Sequence, residues 1–173
     1  MFEGTLHDRL PTGMKLILCA VGHRMPAWVS AGFQDYARRM PREMPVELIE
    51  IRPEQRPAKT ASTALTAKIM AAEAGRIRAA LPDDCELVAL DERGKSFTTT
   101  QFARMMEGWR AGGRNVAFVI GGADGLDAGL KKSAGLLLSL SSFTLPHQLV
   151  RVLLAEQLYR GAALLHNHPY HRE

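Results

Sequence analysis

The sequence predicts an α/β fold built on a parallel sheet, and three observations lead there. Five short apolar runs, at residues 16–21, 46–51, 86–90, 116–120 and 136–140, are separated by segments of helical character. Parallel strands need long crossovers, usually helices, so this alternation points to a parallel sheet. The fourth run is followed at once by Gly121-Gly122-Ala123-Asp124-Gly125, and such sheets bind ligands at the carboxyl ends of their strands. The last helical segment, beginning after Pro146, is apolar around most of its circumference and needs cover on several sides.

Residues 1–13 contain Pro and Gly without periodicity, so the domain is expected to run from Met14 to Glu173 behind a flexible N-terminal extension. The run 16–21 reads as the first strand. A helix opens near Pro26, with Trp28, Phe33, Tyr36 and Met40 on its recurring face, and Pro41 and Pro45 end it. Residues 46–51 form the second strand, and 52–59 a loop. Residues 60–80 are Ala-rich and helix-forming, stopped by Leu81-Pro82-Asp83-Asp84. The third strand covers 86–90, and Asp91-Glu92-Arg93-Gly94-Lys95 leaves it as a connection. Thr98 followed by Gln101 is a capping box, opening a helix whose buried side is Phe102, Met105, Met106 and Trp109, and Gly112-Gly113 closes it. The fourth and fifth strands are 116–120 and 136–140. No internal repeat or linker divides residues 14–173.

With 173 residues the chain is long enough for one sizeable core and too short for separate catalytic and recognition domains. No run reaches the roughly 18 apolar residues of a membrane span, and no basic-then-apolar leader begins the chain, so a cytoplasmic protein without membrane contact is expected. Cys19 and Cys85 have no metal-ligand spacing and read as reduced structural residues. The net charge of +4 fits an anionic partner. Arg38, Arg39 and Arg42, then Arg52, Arg56 and Lys59, concentrate the positive charge, either as phosphate contacts or as ordinary solvated faces.

The stretch from Ser139 to Glu173 carries the most chemistry. Ser141, Ser142 and Thr144 form a polar turn closed by Pro146, with His147 at the entrance of the final helix. On that helix Glu156 and Arg160 are spaced i, i+4 with the acid first, the favourable order for a pair; Arg160 either serves only that pair or points at a substrate. The all-round apolar helix implies a second subunit and hence a homodimer. The tail His166-Asn167-His168-Pro169-Tyr170-His171-Arg172-Glu173 is too rich in polar and aromatic groups for ordinary fraying. Its histidines allow a metal reading, but without a recognised ligand spacing no metal is expected. The glycine turn is neither a dinucleotide fingerprint nor a phosphate loop, which argues against NAD and ATP. No nucleophile elbow or activated cysteine is present.

GGADG after a strand, then LSLSSFTLPHQLVRVLLAEQLYRG, then NHPYHRE, together with MKLILCAVG near the start, resemble the bacterial 23S ribosomal RNA pseudouridine N3-methyltransferases, the RlmH family of the SPOUT superfamily. The resemblance covers residues 14–173. It implies an α/β domain with a C-terminal deep trefoil knot, which ordinary chain rules would not predict, working as a homodimer on 23S rRNA in the assembled ribosome. It further implies S-adenosylmethionine bound by Leu90, by Gly121 and Gly122, and by the segment Leu140, Ser141, Ser142, Phe143, Thr144 and Leu145. His147 would orient that loop or touch the cofactor. The methyl group is already activated, so alignment and help with proton loss are the main needs. His171 is the candidate for proton handling, Arg160 and Arg172 for steadying the developing anion, and Tyr170 for packing against the base. Two other readings stay open: a noncatalytic ribosome- or RNA-binding knotted dimer, and a knotted methyltransferase for another RNA nucleoside. The NHPYHRE tail favours the family over the latter.

Overall fold

A computed structural model of the chain describes residues 13–57 and 62–171, with the backbone alone for His171. Apart from Gly13, the expected N-terminal extension lies outside the described residues. Strands β1 (Leu16–Val21), β2 (Val46–Ile51), β3 (Glu86–Lys95), β4 (Val116–Ile120) and β5 (Leu136–Leu138) form one sheet in the order β2-β1-β4-β3-β5. Every pairing is parallel. All residues of β1 and β4 are buried, as expected of central strands covered on both faces.

The period of two divides their side chains between two cores. Leu16, Leu18 and Ala20 of β1 join Phe118 of β4, Phe33 of α1 (Ala27–Ala37), Phe102 and Met106 of α3 (Thr99–Gly112), and Leu154 and Leu158 of α5 (His147–Leu165). Cys19, Val21 and Val119 face the other way, onto Ala74 and Ile77 of α2 (Thr63–Ala80) and Leu130 of α4 (Ala128–Ser133). On the first face α5 packs against both α1 and α3. None of its residues is fully exposed, so the chain itself supplies part of the cover that the apolar helix demands.

Local sequence sets the helix ends. The capping box of α3 forms as expected: Gln101 N donates to Thr98 Oγ1 at 3.2 Å and Thr98 N to Gln101 Oε1 at 2.9 Å. Gly113, at φ 68°, ends that helix in the left-handed conformation open to glycine. Ser62 caps α2 and Asp127 caps α4. Cys19 and Cys85 are free thiols, and burial, with Cys85 nearby, pushes the Cys19 thiol up to about 12.

Four local expectations change. Helix α1 stops at Ala37 and buries Val29 and Phe33, while Trp28 is exposed and Met40 enters the core from the following turn. Helix α4, only six residues long, carries too little periodicity to be read from the sequence. Strand β5 ends at Leu138 rather than at 140. Strand β3 runs on to Lys95: Leu90 and Lys95 both lie opposite Leu138, and Ser139 N donates to Lys95 O at 3.0 Å. Residues 91–94 therefore swing out and return across β5. A Cβ on Gly94 would lie 2.7 Å from the backbone carbons of Leu137 and Leu138, so the crossing requires glycine.

Candidate active site

A cavity of about 420 Å³ opens at the carboxyl ends of β3, β4 and β5, where open parallel sheets place their ligands. Leu90 enters it from β3 and the Gly121-Gly122 pair from β4. Leu140, Ser141, Phe143, Thr144 and Leu145 line it from the loop before α5, and His147 from that helix's first turn. Ser142 is exposed and is not among the lining residues.

The glycine turn is shaped by close backbone approach. Gly125 N donates to Gly122 O at 3.1 Å, Gly125 sits at φ +85°, and a Cβ on Gly121 would be 2.5 Å from the Gly125 carbonyl carbon. Gly121 and Gly122 line the cavity without side chains, so a ligand can approach their backbone closely. The facing loop is held by its own hydroxyls. Ser139 donates to Ser141 O at 2.9 Å, and Ser141 Oγ accepts Phe143 N at 2.9 Å. Thr144 donates to Glu92 Oε2 at 3.4 Å, tying this loop to the segment that leaves β3. Phe143 is 80% exposed at the cavity mouth, a position that favours an apolar partner.

The cavity also holds charged groups. Asp124 of the glycine turn lines it, and so do Asp91, Glu92, Arg93 and Lys131, which no sequence motif singles out. Lys131 Nζ lies 2.9 Å from Asp91 Oδ2, and Asp91 Oδ1 accepts Arg93 N at 2.9 Å. Burial pushes the Asp91 carboxyl up, but those bonds and charges outweigh it and hold it below its ordinary value. Position directly after a strand is the signal that could have identified Asp91 and Glu92. Lys131, on the unpredicted α4, had none.

His147 is half-buried, and burial first, then the charges of Arg151 and Arg56, lower its pKa below 6.5. Its ring is neutral at pH 7 and available as a donor or acceptor. One turn on, Arg151 is 1% exposed. Its guanidinium meets Glu50 at 2.7 Å and the Gly22 carbonyl at 2.9 Å, pinning α5 to the ends of β1 and β2.

The other expected residues lie at the far end of α5. Arg160 pairs with Glu156 at 2.7 Å. The guanidinium sits 5.0 Å from the Tyr170 ring centroid, and Tyr170 donates to Glu156 Oε1 at 3.2 Å. Tyr159 and Tyr170 are in ring contact at 4.6 Å. Burial, a hydrogen bond with Tyr36 and the Glu156 charge all push the Tyr170 phenol up, so it stays protonated. His171 follows in the 3-10 turn Pro169–His171; its side chain and Arg172 lie outside the described residues. Arg160 is 13 helical positions beyond His147, about 20 Å of rise. One chain thus gathers the expected cofactor residues at one end of α5, and Arg160 and Tyr170 at the other.

Among the described residues no three His, Cys, Asp or Glu side chains are grouped to hold a metal ion, and no helix is long and apolar enough to cross a membrane. A family model described as predicted SPOUT methyltransferase matches residues 14–171. The chain is 56% identical over 160 residues to ribosomal RNA large subunit methyltransferase H of Ralstonia pickettii (strain 12J), covering 92% of this chain and 99% of that one. It is 57% identical over 159 residues to the protein of the same name from Burkholderia multivorans, again covering 92% of this chain and 99% of that one. Its fold is similar to the solved structure of a probable methylase family protein from Haemophilus influenzae Rd KW20, with TM-score 0.50 and 15% identity over 95% of this chain and 72% of that one. With a family model spanning 14–171 and relatives more than half identical, this chain belongs to the SPOUT methyltransferases, in the family of ribosomal RNA large subunit methyltransferase H.

Proposed function

We propose that this chain methylates N3 of a pseudouridine in the 23S rRNA of the assembled ribosome, with S-adenosylmethionine as methyl donor. The observation that carries the reading is the cavity at the strand ends, where the glycine turn, the 140–145 loop and His147 face one space. Bound there, S-adenosylmethionine would supply a methyl group already activated by its sulfonium. The chain's own contribution is to hold and orient. Peptide groups of Gly121 and Gly122 and of the loop, all at the cavity wall, offer hydrogen bonds, Leu90 and Leu145 offer apolar contact, and neutral His147 adds a polar contact without a charge. Ser142 is kept as a loop residue whose backbone continues the wall.

The target base needs the other group of residues, and their distance along α5 sets the assembly. A homodimer with α5 helices antiparallel would bring the tail of one subunit to the cavity of the other. Exposed Trp28 and Phe143 supply apolar surface for that contact. In this arrangement Tyr170, fixed as a hydrogen-bond donor, packs against the base. Arg160 and Arg172 steady the anion left when the imide gives up its N3 proton, and His171 takes that proton. The knot implied by the family belongs to the same proposal, and the return of residues 91–95 across β5 supports it. We also place residues 14–173 in one domain and the protein in the cytoplasm with its ribosomal substrate.

The test is transfer of label from S-adenosylmethionine to purified ribosomes lacking the modification, with the labelled nucleoside identified by mass spectrometry. N3-methylpseudouridine in 23S rRNA is the expected product. A different labelled nucleoside, or cofactor binding without product, would overturn the substrate assignment.

A further inference from the structure

Arg56, in the connection between β2 and α2, belongs to the second basic cluster of the sequence, yet it is built into the back of the glycine turn. Its Nε lies 2.9 Å from Asp124 Oδ2, and Asp124 lines the cavity. Its Nη2 lies 3.3 Å from Glu73 Oε1, and its Nη1 donates to Glu54 O at 3.3 Å. Glu73, on α2, is 2% exposed and also accepts Glu54 N at 3.0 Å. Its second oxygen is buried with no hydrogen-bond partner among the described residues. A Cβ on Gly122 would lie 3.2 Å from Arg56 Nη2 and 3.3 Å from that second Glu73 oxygen. The turn therefore rests directly on the Arg56–Glu73 pair, with Asp124 as its tether. Arg56 also acts on the cavity through charge, as one of the groups that depress His147.

A buried carboxylate is tolerated only when paired, and losing one partner of a buried pair is more damaging than the pair is stabilising. Fixing a turn between a planar guanidinium and two carboxylates suits arginine, whose fork of donors can serve both at once. These contacts brace the turn at Gly122 and Asp124. Because Arg56 and Glu73 are not among the cavity's lining residues, their effect would be on ligand binding rather than on the reacting atoms.

Resting on the methyl-donor reading of the cavity, we propose that Arg56 is a positioning residue, which sets the Gly121–Gly125 turn for the donor by bridging Asp124 to buried Glu73. The test is calorimetric binding of S-adenosylmethionine and of S-adenosylhomocysteine to the full-length protein, with turnover measured at saturating donor. Arg56→Ala is expected to weaken both ligands by the same factor, about 10-fold, equivalent to about 1.4 kcal/mol, with kcat within about twofold of wild type. Arg56→Lys should recover part of the affinity, since an ammonium can reach one carboxylate. Should Arg56→Ala fail to fold, Asp124→Asn keeps Arg56 on Glu73 while weakening its hold on the turn, and it should likewise weaken both ligands equally.

Unchanged affinity in a folded Arg56→Ala protein would overturn the proposal. So would weakening of one ligand alone, which would indicate charge rather than position, or a fall in kcat at unchanged affinity. A wild-type protein that binds neither ligand would overturn the methyl-donor reading itself, and this proposal with it.

Discussion

His147 shows how one residue's surroundings choose its chemistry. Half-buried beside Arg151 and within reach of the Arg56 charge, its ring has a pKa below 6.5 and is neutral in the working range. The sign of the resulting pH dependence follows. A histidine depressed in the folded state contributes stability that is complete above 6.5 and is lost as pH falls below it, because the unfolded chain then binds the proton first. Replacing His147 by Gln should flatten that acid limb, so that lowering the pH from about 7.5 to about 5.5 reduces Tm less in the variant than in wild type. An equal reduction in both would show that His147 does not titrate as described. At this scale the sequence was informative where chemistry is local. The glycine pair, the loop hydroxyls and the Glu156–Arg160 spacing could all be read directly. The pairings of Asp91 with Lys131 and of Arg56 with Asp124 could not, since the partners lie 40 and 68 residues apart.

Among the elements, β3 and β5 carry the feature that hydrophobic pattern hides. Asp91-Glu92-Arg93-Gly94-Lys95 looks like an ordinary polar connection, yet Lys95 returns to pair with Leu138, and Gly94 is pressed against the β5 backbone. Gly94→Ala should destabilise the protein by about 2 kcal/mol through overpacking, a fall in Tm of roughly 5 °C for a chain of this size. Gly108 offers the control. It lies inside α3, and a Cβ added there would meet nothing within 4 Å, so Gly108→Ala should stabilise by about 0.5–1 kcal/mol through helix propensity alone. Thermal melts of the two variants should move in opposite directions; a shared direction would contradict the crossing. Strand positions were legible because buried parallel strands are short apolar runs bounded by turns. The order β2-β1-β4-β3-β5 was not, because it is fixed by pairings between distant segments rather than by any local pattern.

For the whole molecule, the decisive fact is the length of α5. Its first turn lines the cavity and Arg160 stands 13 positions further on, about 20 Å along the axis, which rules out a compact site made from both ends of one straight helix. The proposed site is therefore composite, with the cavity of one subunit served by the tail of the other. The apolar helix pointed toward a second subunit, although α1 and α3 already cover much of it. Its length is the stronger reason. Mixed dimers test this most directly. One subunit would carry Gly122→Val, which blocks the cavity, and the other Tyr170→Ala with His171→Ala, which disables the tail; each would bear its own affinity tag for isolation of the mixed species. Both parent homodimers should be inactive toward ribosomes. The mixed dimer should regain about half of wild-type activity, since one of its two sites has an intact cavity and an intact tail. A mixed dimer as inactive as its parents would contradict the composite site and place both sets of residues in the same chain.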